Sequence, residues 1–315
     1  MRVVVVGLGI QGRKRAHVAG HDVVATVDPV VADATARDLW KIPVDSYDAA
    51  LLCVPDGVKS ELLHFLIGQQ KHALVEKPLY AATVAELVSL QQSARAEGVL
   101  LYTAYNHRFE PHIARARQLL AEGAVGMVYR ISLYYGNGTA RLVRESPWRD
   151  RGTGVLQDLG SHVLDIIAQW SSRPADDYRV VSLTAYENHS PDHAAFHAVG
   201  HSPHVFAELS LLSWRNHFRA EIVGDSGSLH IDGLTKWGDS YLTWRRRVLP
   251  AGRPDEETWR VPAGDPTWQA EYEHFLTLCA DRLPTDLSRD IHIHEALTKI
   301  SASASQHASG GQLLR

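Results

Sequence analysis

A chain of 315 residues, 45% hydrophobic and 22% charged, has the length for two cores of about 100–200 residues each. Its formal charge of −4, from 32 basic and 36 acidic residues, provides no field that would favour nucleic acid or an anionic membrane. The two cysteines, Cys53 and Cys279, suggest neither a disulfide framework nor a cysteine metal site, and a reducing cytoplasm is the expected compartment.

The chain opens with Arg2 and a short apolar run, which Gly7 and Gly9 interrupt far short of the roughly 20 residues of a membrane span. No cleavage pattern follows, so it reads as a mature start. From Arg2 to about Tyr102, short Val-rich runs alternate with longer amphipathic stretches, the pattern of βαβ units around a parallel sheet. Strands are expected at Val3 to Val6, Val23 to Val27, Ala49 to Val54, His72 to Val75 and Val99 to Tyr102. Helices are expected at Gly12 to Ala19, Val30 to Leu39, Gly57 to Gln69, Val84 to Glu97 and Pro111 to Ala121. Thr83 with Glu86 three residues later is a capping-box signature.

Beyond about Gly123 the strand-like segments Val128 to Tyr135, Val180 to Tyr186, Val205 to Trp214 and Arg219 to Val223 follow one another, which favours an antiparallel sheet. Helices are expected from near Leu156 to Trp170 and from about Thr267 to Asp281. The predicted architecture is α/β: a Rossmann doubly wound parallel sheet over residues 1–122, then an α+β domain with a largely antiparallel open sheet over 123–315.

Gly7-Leu8-Gly9-Ile10-Gln11-Gly12 follows the first strand and opens the first helix, the context that gives a GxGxxG meaning. Gly7 allows a tight turn, Gly9 lets the backbone approach a pyrophosphate, and Gly12 permits close helix-to-strand packing. The helix N-terminus offers N–H groups to the anion. Asp28 ends the second strand about 20 residues past the motif, where a carboxylate accepts from a ribose hydroxyl. That placement favours NAD. Arg13, Lys14 and Arg15 crowd the first helix and could equally steady phosphates or form a solvated face, so NADP stays open.

Hydride exchange with an alcohol carbon needs a base for the hydroxyl proton and a donor for the developing oxyanion. Lys77, in Glu76-Lys77-Pro78, follows a strand at the sheet edge where ligands bind, and the peptide bond to Pro78 is a candidate for cis. Asp158 and His162 stand at i and i+4, on one face of a helix, and suit proton transfer near neutral pH. Each signal has an ordinary structural explanation when taken alone.

Together these segments resemble the glucose-fructose oxidoreductase, inositol dehydrogenase and MocA (Gfo/Idh/MocA) family. The resemblance runs from the glycine motif through Glu76-Lys77-Pro78, Asn106-His107-Arg108-Phe109, Trp148-Arg149, Gly154 to His162, and Val223 to Leu229, to Glu271-Tyr272-Glu273-His274-Phe275. It implies a catalytic set of Lys77, Asp158 and His162, with His162 as general acid/base, Lys77 on the reacting oxygen, and Asp158 orienting the substrate or His162. It implies a dinucleotide site of Gly7, Gly9, Ile10, Gln11, Gly12, Asp28, Val54, Pro55, Glu76, Lys77 and Asn106. Substrate contacts would come from Lys77, Arg108, Trp148, Arg149, Asp158 and His162. The implied activity is NAD(P)-dependent oxidoreduction of a sugar, cyclitol or nucleotide-linked sugar by a homo-oligomer, a dimer or tetramer. An NAD-dependent glycoside hydrolase and a dinucleotide-responsive regulator are the alternatives the same fold hosts.

Two departures stand near the expected cleft. The family commonly has a histidine four residues beyond the proline after the third strand, where this chain has Lys59 following Val54-Pro55, and Gly152-Thr153-Gly154 replaces consecutive glycines. His189, His193, His197 and His201 recur every fourth residue, but turn-forming Ser190-Pro191, Gly200 and Ser202-Pro203 argue against a helical metal site. A histidine-lined sheet edge stays open, and no metal is expected. Arg245-Arg246-Arg247 reads as a solvated strand or loop.

Overall fold

Four consecutive valines make β1 (Val3–Val6), with every residue buried, as β-branched side chains covered on both faces of a parallel sheet require. The structure is a computed structural model and describes residues 1–79, 83–146, 149–171, 175, 177–200 and 202–308. It divides into two compact units, the first of residues 1–106 with 266–294, the second of 107–265 with 295–315. The expected single cut after residue 122 therefore gives way to a boundary at Asn106, and a late segment joins the first unit.

In the first unit, α1 (Ile10–Ala19) leads to β2 (Val23–Val27), then come β3 (Ala49–Leu52), α2 (Asp56–Gly68), β4 (His72–Glu76), α3 (Val84–Ala96) and β5 (Leu101–Ala104). All five strands are parallel in the order β2-β1-β3-β4-β5, so the order reverses between β1 and β3. Thr83 caps α3, its hydroxyl accepting from Glu86 N at 3.2 Å, as its spacing predicts. The Lys77–Pro78 peptide is cis.

The helix expected at Val30 to Leu39 does not form; only a 3₁₀ turn at Leu39–Lys41 is present there. Polar side chains take the backbone groups a helix needs: Asp28 Oδ1 accepts from Val30 N and Val31 N, and Thr35 exchanges bonds with Thr26. Ala36 then pairs with β2 as an isolated bridge. β5 begins two residues later than expected, and Thr285 Oγ1 donates to Val99 O and accepts from Leu101 N at its start.

The second unit begins with a 3₁₀ turn at Asn106–Phe109 that straddles the boundary, then α4 (Pro111–Ala121), β6 (Val128–Gly136) and the short α5 (Ala140–Arg144). A π-turn at Leu156–Gly160 runs into α6 (Ser161–Trp170), on which Val163, Leu164, Ile166 and Ile167 are at most 1% exposed. Each such side chain contributes roughly 1.5–3 kcal/mol on burial. The strands β7 (Tyr178–Thr184), β8 (His193–Ala198), β9 (His204–Ser210), β10 (His217–Gly224), β11 (Gly227–Asp232), β12 (Ser240–Arg246) and β13 (Asp255–Val261) complete an eight-stranded sheet with β6. Its order is β13-β12-β11-β10-β6-β9-β8-β7, antiparallel throughout except where β6 runs parallel to β9. Arg245 and Arg246 project from β12 onto Glu256 and Glu257, the solvated strand expected of the basic run.

Among the described residues two more helices follow, α7 (Thr267–Ala280) and α8 (Ser288–Ala308), the unit boundary falling within α8 after His294. α7 packs Tyr272, Phe275 and Cys279 against Val3, Val5, Leu51 and Leu74, the face of the parallel sheet that α1 also covers. α2 and α3 cover the other face through Leu63, Leu66, Leu87 and Leu90. The sheet is doubly wound, as expected.

Candidate functional site

All five parallel strands end on the same edge, and each delivers predicted residues there: Gly7 after β1, Asp28 after β2, Val54-Pro55 after β3, Glu76-Lys77 at β4 and Asn106 after β5. The reversal between β1 and β3 puts the glycine loop at the position where open α/β sheets bind ligands. Gly7 has φ +89°, and a side chain on it would meet Cys53 O; a side chain on Gly12 would meet Gly7 O. Both glycines are sterically required. Gly9 differs, since nothing lies within 4 Å of where its Cβ would stand. The N-terminus of α1, which Gly9 caps, has no side-chain cap, and Ile10 and Gln11 are exposed. Open space over Gly9 beside uncapped N–H groups fits a pyrophosphate.

Asp28 accepts from Leu8 N at 2.8 Å and from Val30 N and Val31 N, both at 2.9 Å, and so ties the glycine loop to the end of β2. Burial works to raise its carboxyl pKa, but these donors, with Arg37 nearby, outweigh it and hold the carboxyl below the ordinary range. The group stays anionic, which suits a ribose hydroxyl and disfavours a 2′-phosphate.

At the end of β4, Glu76 accepts from Arg15 Nε at 2.9 Å, and Arg15 also pairs with Glu271 at 2.6 Å and lies over the Trp268 ring. Arg15 is thus a buried structural cation and not a phosphate ligand, and Lys14 Nζ also lies over the Trp268 ring, 4.3 Å from its centroid. Half-buried Lys77 is held from behind by Lys59, whose Nζ donates to Glu76 O at 2.6 Å and Pro78 O at 2.8 Å and pairs with Asp56 at 2.7 Å. Three donors meet three acceptors, which is why a lysine only 2% exposed is tolerated. Asn106 Nδ2 donates to Thr267 Oγ1 at 2.7 Å, which fixes its amide.

In the second unit, His162 is 6% exposed, and its Nδ1 lies 2.8 Å from His107 Nδ1, the rings edge to face. His107 Nε2 in turn meets Lys236 Nζ at 3.1 Å and the Tyr135 hydroxyl at 3.3 Å. Burial, with Asp158 and Glu110 nearby, keeps the Tyr135 phenol well above its ordinary pKa and therefore protonated. Asp158 sits on the π-turn and accepts from Arg149 Nη2 at 3.2 Å. Gly154, at φ +51°, enters that turn where a side chain would meet Pro191 O, which explains the glycine retained there.

Arg108 forms a fork with Asp165, from Nη2 at 2.7 Å and Nε at 3.0 and 3.1 Å. Trp148 and His201 lie outside the described residues. His193 and His197 stand on β8, an interior strand between β7 and β9, so they line no sheet edge. Among the described residues no cluster of three or more His, Cys, Asp or Glu could hold a metal, and no helix is long and apolar enough to cross a membrane. Sequence reasoning missed the roles of His107, Tyr135, Lys236 and Lys59. His107 stands inside the Asn106-His107-Arg108-Phe109 motif and Lys59 at a departure from the family pattern; Tyr135 and Lys236 carry no sequence signal.

Comparison with known proteins agrees with these two halves. Residues 1–105 match the model described as oxidoreductase family, NAD-binding Rossmann fold, and residues 113–230 match the GFO/IDH/MocA C-terminal domain. Over 121 residues the chain is 29% identical to scyllo-inositol 2-dehydrogenase (NADP(+)) of Bacillus subtilis, covering 38% of this chain and 33% of that protein. It is 26% identical over 159 residues to levoglucosan dehydrogenase of Pseudarthrobacter phenanthrenivorans, covering 46% and 40%. The matched stretches thus span only a third to two fifths of these relatives. A solved levoglucosan dehydrogenase complex with NADH superposes with a TM-score of 0.82 at 18% identity, over 97% of both chains, a likeness of fold.

Proposed function

We propose, from the premise that the chain belongs to the GFO/IDH/MocA family of NAD-binding oxidoreductases, that it exchanges a hydride with a hydroxyl or keto carbon of a sugar, cyclitol or nucleotide-linked sugar. The observation that carries this reading is the shared edge of the parallel sheet, where the open glycine loop, anionic Asp28 and Lys77 all emerge. The polyol class is supported by relatives named as inositol and levoglucosan dehydrogenases.

In this reading the glycine loop and the first N–H groups of α1 hold the pyrophosphate, and Asp28 takes the adenosine ribose in preference to its 2′-phosphate, so NAD is the favoured cofactor. When bound, the nicotinamide supplies a hydride acceptor and donor at its C4. Lys77 hydrogen-bonds the reacting oxygen and offsets its developing charge. His162 moves the proton as general acid/base, and Asp158, held by Arg149, orients the substrate's hydroxyls. Val54, Pro55 and Asn106 line the dinucleotide's nicotinamide end, and the chain works as a cytoplasmic homo-oligomer.

The test is fluorescence-monitored binding of NADH and NADPH, followed by an absorbance screen of sugars, inositols and nucleotide sugars with the preferred cofactor. Tighter NADH binding and turnover of a polyol are expected. Binding of neither dinucleotide would overturn the reading.

A further inference from the structure

His107 and His162 share one hydrogen bond between their Nδ1 atoms, so one ring donates and the other accepts. The far nitrogen of His107 decides which. Lys236 Nζ stands 3.1 Å from His107 Nε2, and an ammonium donates but cannot accept. The Tyr135 hydroxyl accepts from Lys236 Nζ at 3.2 Å, which leaves its own proton for the same His107 nitrogen. With two donors aimed at it, Nε2 of a neutral His107 is bare and the ring's proton sits on Nδ1. That proton goes to His162 Nδ1, and neutral His162 then carries its own on Nε2.

This state is loaded to give a proton, yet a neutral imidazole is a poor acid unless the proton is replaced from behind. We propose that Lys236 is the proton reservoir of His162 and acts through His107; the proposal rests on the reading of His162 as the general acid. When a carbonyl is reduced, the Nε2–H bond of His162 breaks and an O–H bond forms on the substrate. The His107 Nδ1 proton moves to His162 Nδ1, and a Lys236 proton moves to His107 Nε2. The net transfer is one proton from Lys236 to the substrate oxygen; both histidines end as the opposite tautomers and Lys236 as an amine. Oxidation of an alcohol runs the same transfers backwards. After a reduction, a solvent proton arriving at His162 Nε2 reloads the chain by that same reverse path. The groups that set its titration are Tyr135 on β6, Lys236 after β11, Glu110 on Thr235, and Asp158 with Arg149.

Long-range ¹H–¹⁵N correlation spectra of histidine-labelled protein test this without substrate. At neutral pH His107 is expected protonated at Nδ1 and His162 at Nε2. Raising the pH until Lys236 becomes an amine should switch both tautomers together. Lys236→Arg stays charged at every accessible pH, so it should keep the neutral-pH tautomers and lose the switch, and with it about 10²-fold or more of turnover; its melting point checks the fold. A neutral-pH His107 protonated at Nε2, or a switch that survives in Lys236→Arg, overturns the reservoir. Tautomers that behave as stated while His162→Ala turns over normally would locate the failure in the role of His162.

Discussion

The Lys59 ammonium donates to the Glu76 carbonyl at 2.6 Å, and with its bond to Pro78 O it holds the backbone on both sides of Lys77. Burial lowers the Lys59 pKa, although Asp56 and Glu76 oppose the shift. Lys59→Met would leave the buried Pro78 carbonyl and the part-buried Glu76 carbonyl without this donor, at about 1–3 kcal/mol for the buried one. It would also let Lys77 drift, and a displacement near 1 Å costs about 10²-fold in rate. The expected result is a lower melting point and a kcat reduced far more than the affinity for NADH. An unchanged kcat in a folded Lys59→Met protein would show that Lys77 needs no such support.

Gly9 and Gly12 predict opposite behaviour. Gly12→Ala drives a methyl into Gly7 O, so stability should fall by about 1–3 kcal/mol or more. Gly9→Ala places its methyl in open space at φ −66°, which alanine adopts freely, so the melting point should hold. NADH fluorescence should nonetheless show at least tenfold weaker binding, about 1.4 kcal/mol, because the methyl occupies the pyrophosphate approach. Equal NADH affinity in Gly9→Ala would place the dinucleotide elsewhere.

These residues also show how far the sequence could be read. β1 and β2 are legible to the residue because an unbroken valine run, in β1, and a short Val/Thr-rich run, in β2, favour a strand, and the glycine loop is legible from its place between strand and helix. Val30 to Leu39 departs from the expected helix: its apolar spacing is helical, but the Asp28 and Thr35 side chains that divert its backbone act across a turn. β13 is not legible for the opposite reason: its Asp-Glu-Glu-Thr start is solvated and lacks an apolar alternation. In the site, His107 lay beside predicted residues, but Lys236 reaches it from 129 positions away, a pairing no local pattern encodes.

Asp28 predicts an acid-side signature. Its carboxyl is held below its unfolded pKa of about 3.9, so the folded state favours the ionised form. The resulting stability is complete above that unfolded value and is lost as pH falls through the folded one. Asp28→Asn should therefore be less stable than the wild type at neutral pH, by about 1–3 kcal/mol for the weakened loop bonds. That gap should narrow in denaturant titrations carried below about pH 4. A gap independent of pH would mean that the charge contributes nothing. In the same variant NADH binding should weaken more than NADPH binding.

Arg108 and His107 are consecutive, and their partners Asp165 and His162 lie three apart on α6, so the 3₁₀ turn meets the helix in two adjacent rungs. Asp165 is 1% exposed, and Arg108→Ala would leave its charge buried with Gln169 as a remaining donor. A loss of about 3–5 kcal/mol is expected. Replacing both partners, as Arg108→Met with Asp165→Leu, removes the stranded charge and should regain most of that stability. The fork on Asp165 also makes Arg108 a brace for His162, so turnover should return with the fold. If the double variant is stable but keeps a raised KM for substrate, the guanidinium acts on the substrate itself, which is the role the family resemblance implies.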